Sequence, residues 1–167
     1  IYHNIRTACE DPENRSAREA MMLAATQGGI AFSNASVTLI HGMSRPMGAM
    51  FHIPHGLSNA MLLPAVTAWS VDENQDRYAN CARIMGMCDD TKDDKQAVDT
   101  LVRELKALNR DLSVPNPAQY GIKESTWFDS LEIMAEQALV SGSPANNPKI
   151  PSSDEIMDLY KQVWAEQ

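Results

Sequence analysis

Apolar residues recur at helical spacing along nearly the whole chain. The clearest case is "DDTKDDKQAVDTLVRELKALNRDL", where Val98, Leu101, Val102, Leu105 and Leu108 fall on one face and charges on the other. "NRSAREAMMLAATQGGIAFSNA" reads as another helix, with Asn14 as its N-cap and Met21, Met22 and Ala25 on its apolar side. Its Gly28-Gly29 pair would weaken an isolated helix and predicts close approach by a neighbouring backbone. "LSNAMLLPAVTAW" is almost entirely apolar, which predicts a buried helix that Pro64 kinks or ends. Further helices are expected over "DENQDRYANCARIMGM", capped by Asp72 or Asn74, then from Ser125 through "WFDSLEIMAEQAL", and from near Ser153 to Gln167. "SVPNPAQYGI" and "SGSPANNPKIPSS" carry enough proline and glycine to be loops. No alternating run of Val, Ile and Thr bounded by turn residues occurs, so no sheet is expected. The pattern predicts an all-α bundle of six or seven helices, one helical domain over residues 1–167.

One segment breaks this pattern. "HGMSRPMGAMFHIPHG", residues 41–56, holds three histidines, three methionines, two prolines and three glycines. Those prolines and glycines predict a loop between a helix ending near His41 and another starting around Gly56. Neutral imidazole is a common metal ligand, and a loop folded back on small residues would let His41 and His55, fourteen positions apart, converge on one ion. The same rings can instead be loop histidines satisfied by backbone or water. Spacing does not choose between these, because the segment is no HExxH helix and no paired cysteines complete a zinc knuckle. Met43, Met47 and Met50 read as pocket wall or core filler.

Composition narrows the partners. The formal net charge of -8 leaves no basic face of the kind that nucleic acid or an anionic membrane surface needs. No apolar run approaches the roughly 20 residues of a membrane span. Cys9, Cys81 and Cys88 form no CxxC pair and read as free thiols in a reducing cytoplasm. The acidic "CDDTKDD" lacks the glycine and glutamate spacing of a calcium loop and reads as solvated surface. The chain opens at Ile1 rather than methionine, and it is expected to be part of a longer polypeptide.

The segment "HGMSRPMGAMFHIPHGLSNAMLLP" closely resembles the C-terminal metal-binding region of the iron-containing (group III) alcohol dehydrogenases, which share the dehydroquinate synthase-like helical domain. Those enzymes carry a histidine, a glycine-bearing turn, then "PHG" running into an apolar "NAxLLP" helix. The likeness continues through "SGSPANNPK" and "IMDLYKQVW". It implies one divalent ion, Fe(II) or Zn, held by an aspartate and three histidines, two of which fall on His41 and His55. The other two ligands belong to an upstream DxxxH turn, and the forty residues before His41 contain none. The resemblance also implies NAD or NADP, bound mainly by an N-terminal nucleotide-binding domain; no GxGxxG occurs here. The chain is therefore expected to hold half of a metal site and to be inactive alone.

Many relatives carry a histidine at the position of Arg45. Arginine stays protonated and cannot act as a base, so Arg45 is expected to hold an anionic group, such as a substrate carboxylate, or to pair with an acidic side chain. His52 is a candidate catalytic base beside the metal, or else a packing histidine. Ser143 is a candidate substrate contact, or else a turn serine. The implied reaction interconverts a primary or secondary alcohol with its aldehyde or ketone, the ion acting as Lewis acid and hydride passing to the nicotinamide. The partner implied is a small alcohol or aldehyde, in the cytoplasm, with a homo-oligomer left open. The competing reading is a catalytically inactive helical binding or interaction module.

Overall fold

The computed structural model describes residues 1–165; Glu166 and Gln167, the end of the last predicted helix, lie outside the described residues. The order is α1 (Tyr2–Glu10), α2 (Arg15–Ala35), α3 (Leu39–Phe51), α4 (His55–Ser70), α5 (Gln75–Ile84), α6 (Asp94–Asp111), α7 (Glu124–Asp129), α8 (Leu131–Val140) and α9 (Ser153–Ala165). Short 3₁₀ turns occupy Val71–Asn74 and Ser143–Asn146. No strand occurs among the described residues, as the hydrophobic pattern predicts. The helices outnumber the expected six or seven partly because the one predicted from Ser125 is two, α7 and α8, meeting at Ser130.

The main core lies among α3, α4, α8 and α9, around Leu39, Met43, Met47, Leu62, Met134, Ile156 and Tyr160. A smaller cluster joins α5 to α6 through Ala79, Ala82, Val98, Leu101 and Leu105. α6 is the amphipathic helix read from the sequence, and the Asp93 carboxylate caps it by accepting the Gln96 N–H at 2.8 Å. No described helix is long and apolar enough to cross a membrane.

Pro64 does not end α4, which continues to Ser70. Proline removes the N–H that the carbonyl four residues earlier would accept. That carbonyl belongs to Ala60, and Asn109 Nδ2 of α6 donates to it at 2.7 Å. A side chain from another helix thus replaces the missing bond and ties α4 to α6. Asn109→Ala is expected to cost about 1 kcal/mol, the low end for an acceptor left without its donor, because this bond is only part-buried. Urea denaturation monitored by far-ultraviolet circular dichroism measures it.

α2 departs from expectation in one respect. The Asn14 side chain does cap it, accepting the Ala17 N–H at 3.0 Å. Yet no atom lies within 4 Å of the places where Cβ atoms on Gly28 and Gly29 would stand, so no neighbouring backbone approaches them. Ala17 is the one buried residue of this helix, while Met22, Leu23, Ile30 and Phe32 are exposed. α2 packs on α1 and turns the rest of its apolar surface outward.

The largest correction concerns residues 41–51, read as a loop. They form most of α3, with Pro46 inside the helix. The glycines that suggested a loop serve contacts from outside. A Cβ on Gly42 would lie 2.9 Å from the Pro144 ring, and one on Gly48 would lie 3.4 Å from the Ile53 carbonyl oxygen. Gly42 therefore lets the Ser143–Asn146 turn seat on α3. Gly48 lets the chain double back along α3 before α4 begins.

Candidate metal centre

His41 stands in the first turn of α3, and the approach to that turn is pinned from across the fold. Asn146 Nδ2 donates to the Val37 carbonyl at 3.0 Å and to Ser36 Oγ at 3.3 Å. At its other end α3 stops at His52, whose left-handed backbone (φ 56°) turns the chain. Ile53 is buried, Pro54 is extended, and His55 opens α4. The doubling back brings the start of α4 beside the start of α3. The His41 and His55 rings end with centroids 5.2 Å apart, their planes inclined at 54°.

Both rings line one open groove of about 760 Å³, together with Arg45 and residues Phe32–Val37 at and just beyond the end of α2. Burial is the main cause holding the His41 imidazole below its ordinary pKa, with the His55 ring and the Arg45 guanidinium pushing the same way. His41 is therefore neutral at pH 7, with a lone pair free for a ligand. Two side chains hold the His55 ring. Ser44 Oγ lies 3.2 Å from Nδ1, and Asn59 Nδ2 lies 3.0 Å from Nε2. Neither was singled out in the sequence. The available signal was helical spacing, Ser44 three residues after His41 and Asn59 four after His55.

The family model described as "Fe-containing alcohol dehydrogenase family, C-terminal" matches residues 1–164. The chain belongs to this family. The 1,3-propanediol dehydrogenase of Citrobacter freundii is 31% identical over 165 residues, which is 98% of this chain and 42% of that enzyme. The NADPH-dependent butanol dehydrogenase of Clostridium saccharobutylicum is 32% identical over 152 residues, 90% of this chain and 39% of that enzyme. The crystal structure of a 1,3-propanediol oxidoreductase superposes with a TM-score of 0.90 at 29% identity, covering 97% of this chain and 42% of that one. The chain thus spans about two-fifths of the length of these relatives and corresponds to the C-terminal part of an iron-containing alcohol dehydrogenase.

Such a family implies a metal ion, and the histidine pair fits one. Two imidazoles on a shared tetrahedral ion, each about 2.1 Å from it, place their ring centroids roughly 5 Å apart. The observed 5.2 Å agrees. No group of three or more His, Cys, Asp or Glu side chains suited to a metal occurs among the described residues, so the pair alone would supply two ligands.

The other residues singled out from the sequence divide. Arg45, one turn after His41, is exposed on the groove and makes no ion pair among the described residues. His52 does not join the groove. It caps the far end of α3, about 16 Å along the helix axis from His41 at 1.5 Å per residue, and is exposed. Its backbone carbonyl accepts the Tyr120 hydroxyl at 3.2 Å. Ser143 is buried at the start of the turn that seats on Gly42, outside the groove lining.

Proposed function

We propose that this chain is the metal-binding and substrate-facing part of an NAD(P)-linked alcohol dehydrogenase that interconverts a small primary or secondary alcohol with its aldehyde or ketone. One observation carries the reading: in a chain of this family, the His41 and His55 rings stand 5.2 Å apart over one groove. These two side chains hold part of a divalent ion's shell, and the remaining ligands come from outside the 167 residues. Imidazole donors accept Fe(II) and bind Zn(II) at least as well. When bound, the ion supplies Lewis acidity toward the alcohol or carbonyl oxygen. The nicotinamide, NAD or NADP, is held by a separate domain. The uncovered three-fifths of the relatives' length supports that assignment, and a cytoplasmic setting suits it. Anaerobic titration with Fe(II) and Zn(II), before and after removing both imidazoles, tests the reading.

Within the groove we assign Arg45 to the substrate rather than to a proton step. Its guanidinium carries a permanent charge one helical turn from His41. Phe32 and Val37 opposite supply apolar wall for a short carbon chain. The arrangement suits an alcohol or aldehyde that also bears a carboxylate. We expect 4-hydroxybutanoate to bind about tenfold more tightly than 1-butanol, the effect of one charge-assisted hydrogen bond partly screened by water. Arg45→Gln removes the difference. Chemical-shift titration of the groove residues measures both, and equal affinity for the two ligands in the unaltered chain rejects the assignment.

A further inference from the structure

The hydrogen bonds around His55 point to two positioning residues that the family's ligand set does not include. Ser44 is 1% exposed, inside α3, with its hydroxyl oxygen 3.2 Å from His55 Nδ1. Asn59 stands one turn beyond His55 in α4, its Nδ2 3.0 Å from Nε2. The Asn59 Oδ1 is buried and has no hydrogen-bond partner among the described residues. The main chain of His55 is fixed too, since Ser58 Oγ donates to its carbonyl at 3.0 Å.

In a neutral imidazole one nitrogen donates and the other accepts, so the neighbours select between two arrangements. In the first, Nδ1–H donates to Ser44 Oγ, and the Asn59 amide N–H donates to the bare Nε2. In the second, Ser44 donates to Nδ1, and Nε2–H donates to an Asn59 amide turned end for end. That rotation would place the NH₂ group where Oδ1 now lies, in a pocket that offers no partner. The second arrangement orphans both amide N–H groups, the first the Asn59 Oδ1 and the Ser44 hydroxyl proton, so the placement of Nδ2 rather than Oδ1 against Nε2 decides between them. The first arrangement is favoured, and it leaves Nε2 with a lone pair held by a displaceable amide.

We propose that Ser44 is a positioning residue that accepts the Nδ1–H of His55, and that the Asn59 amide selects this tautomer and guards the bare Nε2 until a divalent ion takes its place. The inference rests on the reading of His55 as a metal ligand. Partners of this kind orient a ligating imidazole and typically change metal affinity about 10- to 100-fold. Ser44 adds stiffness: it stands on the helix that carries His41, so one helix sets both rings.

The test has one readout that needs no ion. Long-range ¹H–¹⁵N correlation spectra, at a pH where the ring is neutral, show directly which His55 nitrogen carries the proton. The unaltered chain is expected to show a pyridine-type Nε2. Ser44→Ala is expected to move the proton onto Nε2 in a large fraction of molecules and to weaken zinc binding, followed by the same signals, at least tenfold. Ser44→Thr restores the hydroxyl and with it both readouts, which a packing role would not do. Asn59→Ala removes the amide that holds Nε2 bare, so the tautomer preference is expected to weaken while zinc affinity is undiminished. Unchanged tryptophan fluorescence in each variant shows that the fold is intact. A proton found on Nε2 in the unaltered chain overturns the proposal, as does a Ser44→Ala variant with unchanged tautomer and affinity. A tenfold loss in Asn59→Ala overturns the guarding role. Zinc binding that survives His55→Ala defeats the metal-ligand reading itself. Binding that needs His55 but ignores Ser44 defeats only the positioning.

Discussion

Replacing His41 and His55 together by alanine is expected to remove Fe(II) and Zn(II) binding from this chain, with a loss of at least a hundredfold in an anaerobic calorimetric titration. Complete four-ligand zinc sites are worth about 10–16 kcal/mol, so each ligand contributes roughly 3 kcal/mol, and two of them far exceed a hundredfold. The starting affinity is expected to be modest, because no third ligand joins the pair among the described residues. Neither ring belongs to the packed core, so the double variant should keep its fold, and a loss of binding is then a loss of ligands. Tight binding abolished by the double substitution means that the chain draws extra donors of its own to the groove. Binding that persists in the double variant rejects the pair as the site, and the helical interaction module becomes the better reading.

The all-α architecture was legible because burial in helices leaves a periodic trace, which α6 shows at Val98, Leu101 and Leu105. Proline and glycine were misread because their meaning depends on what lies across the interface. Pro64 was read as kinking or ending its helix; the helix does not end there, and the carbonyl it frees is taken by Asn109, forty-nine residues away in sequence. Gly42 and Gly48 looked like hinges of a loop, but they are gaps in a helix surface filled by Pro144 and the Ile53 carbonyl. The Gly28-Gly29 pair looked like a close approach and has no neighbour within reach. Local propensity is the same in all these cases, and tertiary contacts decide among them.

The candidate site shows the same division. His41 and His55 were singled out by residue type and by resemblance, and the structure supplies the doubled-back chain that unites them. The predicted turn exists, but it occupies His52 to Pro54 instead of the whole segment. That shortening separates His52 from the groove: a helix carries it three turns from His41, where a loop would have allowed it to fold inward. Ser44 and Asn59 were passed over because a serine and an asparagine at helical spacing from a histidine have many uses. Their significance comes from the ring that both touch.

Trp127→Ala is expected to cost about 3–5 kcal/mol, the largest stability loss among the substitutions considered, as for other fully buried aromatics truncated to alanine. Trp127 is 0% exposed on the short helix α7, which has little else to hold it. Its ring centroid lies 5.5 Å from that of Phe51 at the end of α3, 5.8 Å from Tyr160 and 5.9 Å from Trp164, both on α9. The ring therefore joins three helices, and Tyr160 in turn donates from its hydroxyl to the Met43 carbonyl of α3 at 2.7 Å. The expected fall in thermal midpoint is about 6–20 °C for a chain of this size, at roughly 2–4 °C per kcal/mol. Trp127→Phe should cost distinctly less. It keeps most of the aromatic contact and deletes an indole N–H that is buried without a partner among the described residues. Differential scanning calorimetry of the two variants separates these terms, and equal losses would show that the volume of the indole matters little. Because α3 is held by this aromatic cluster at one end and carries His41 at the other, Trp127→Ala should also weaken metal binding, although the indole touches neither histidine.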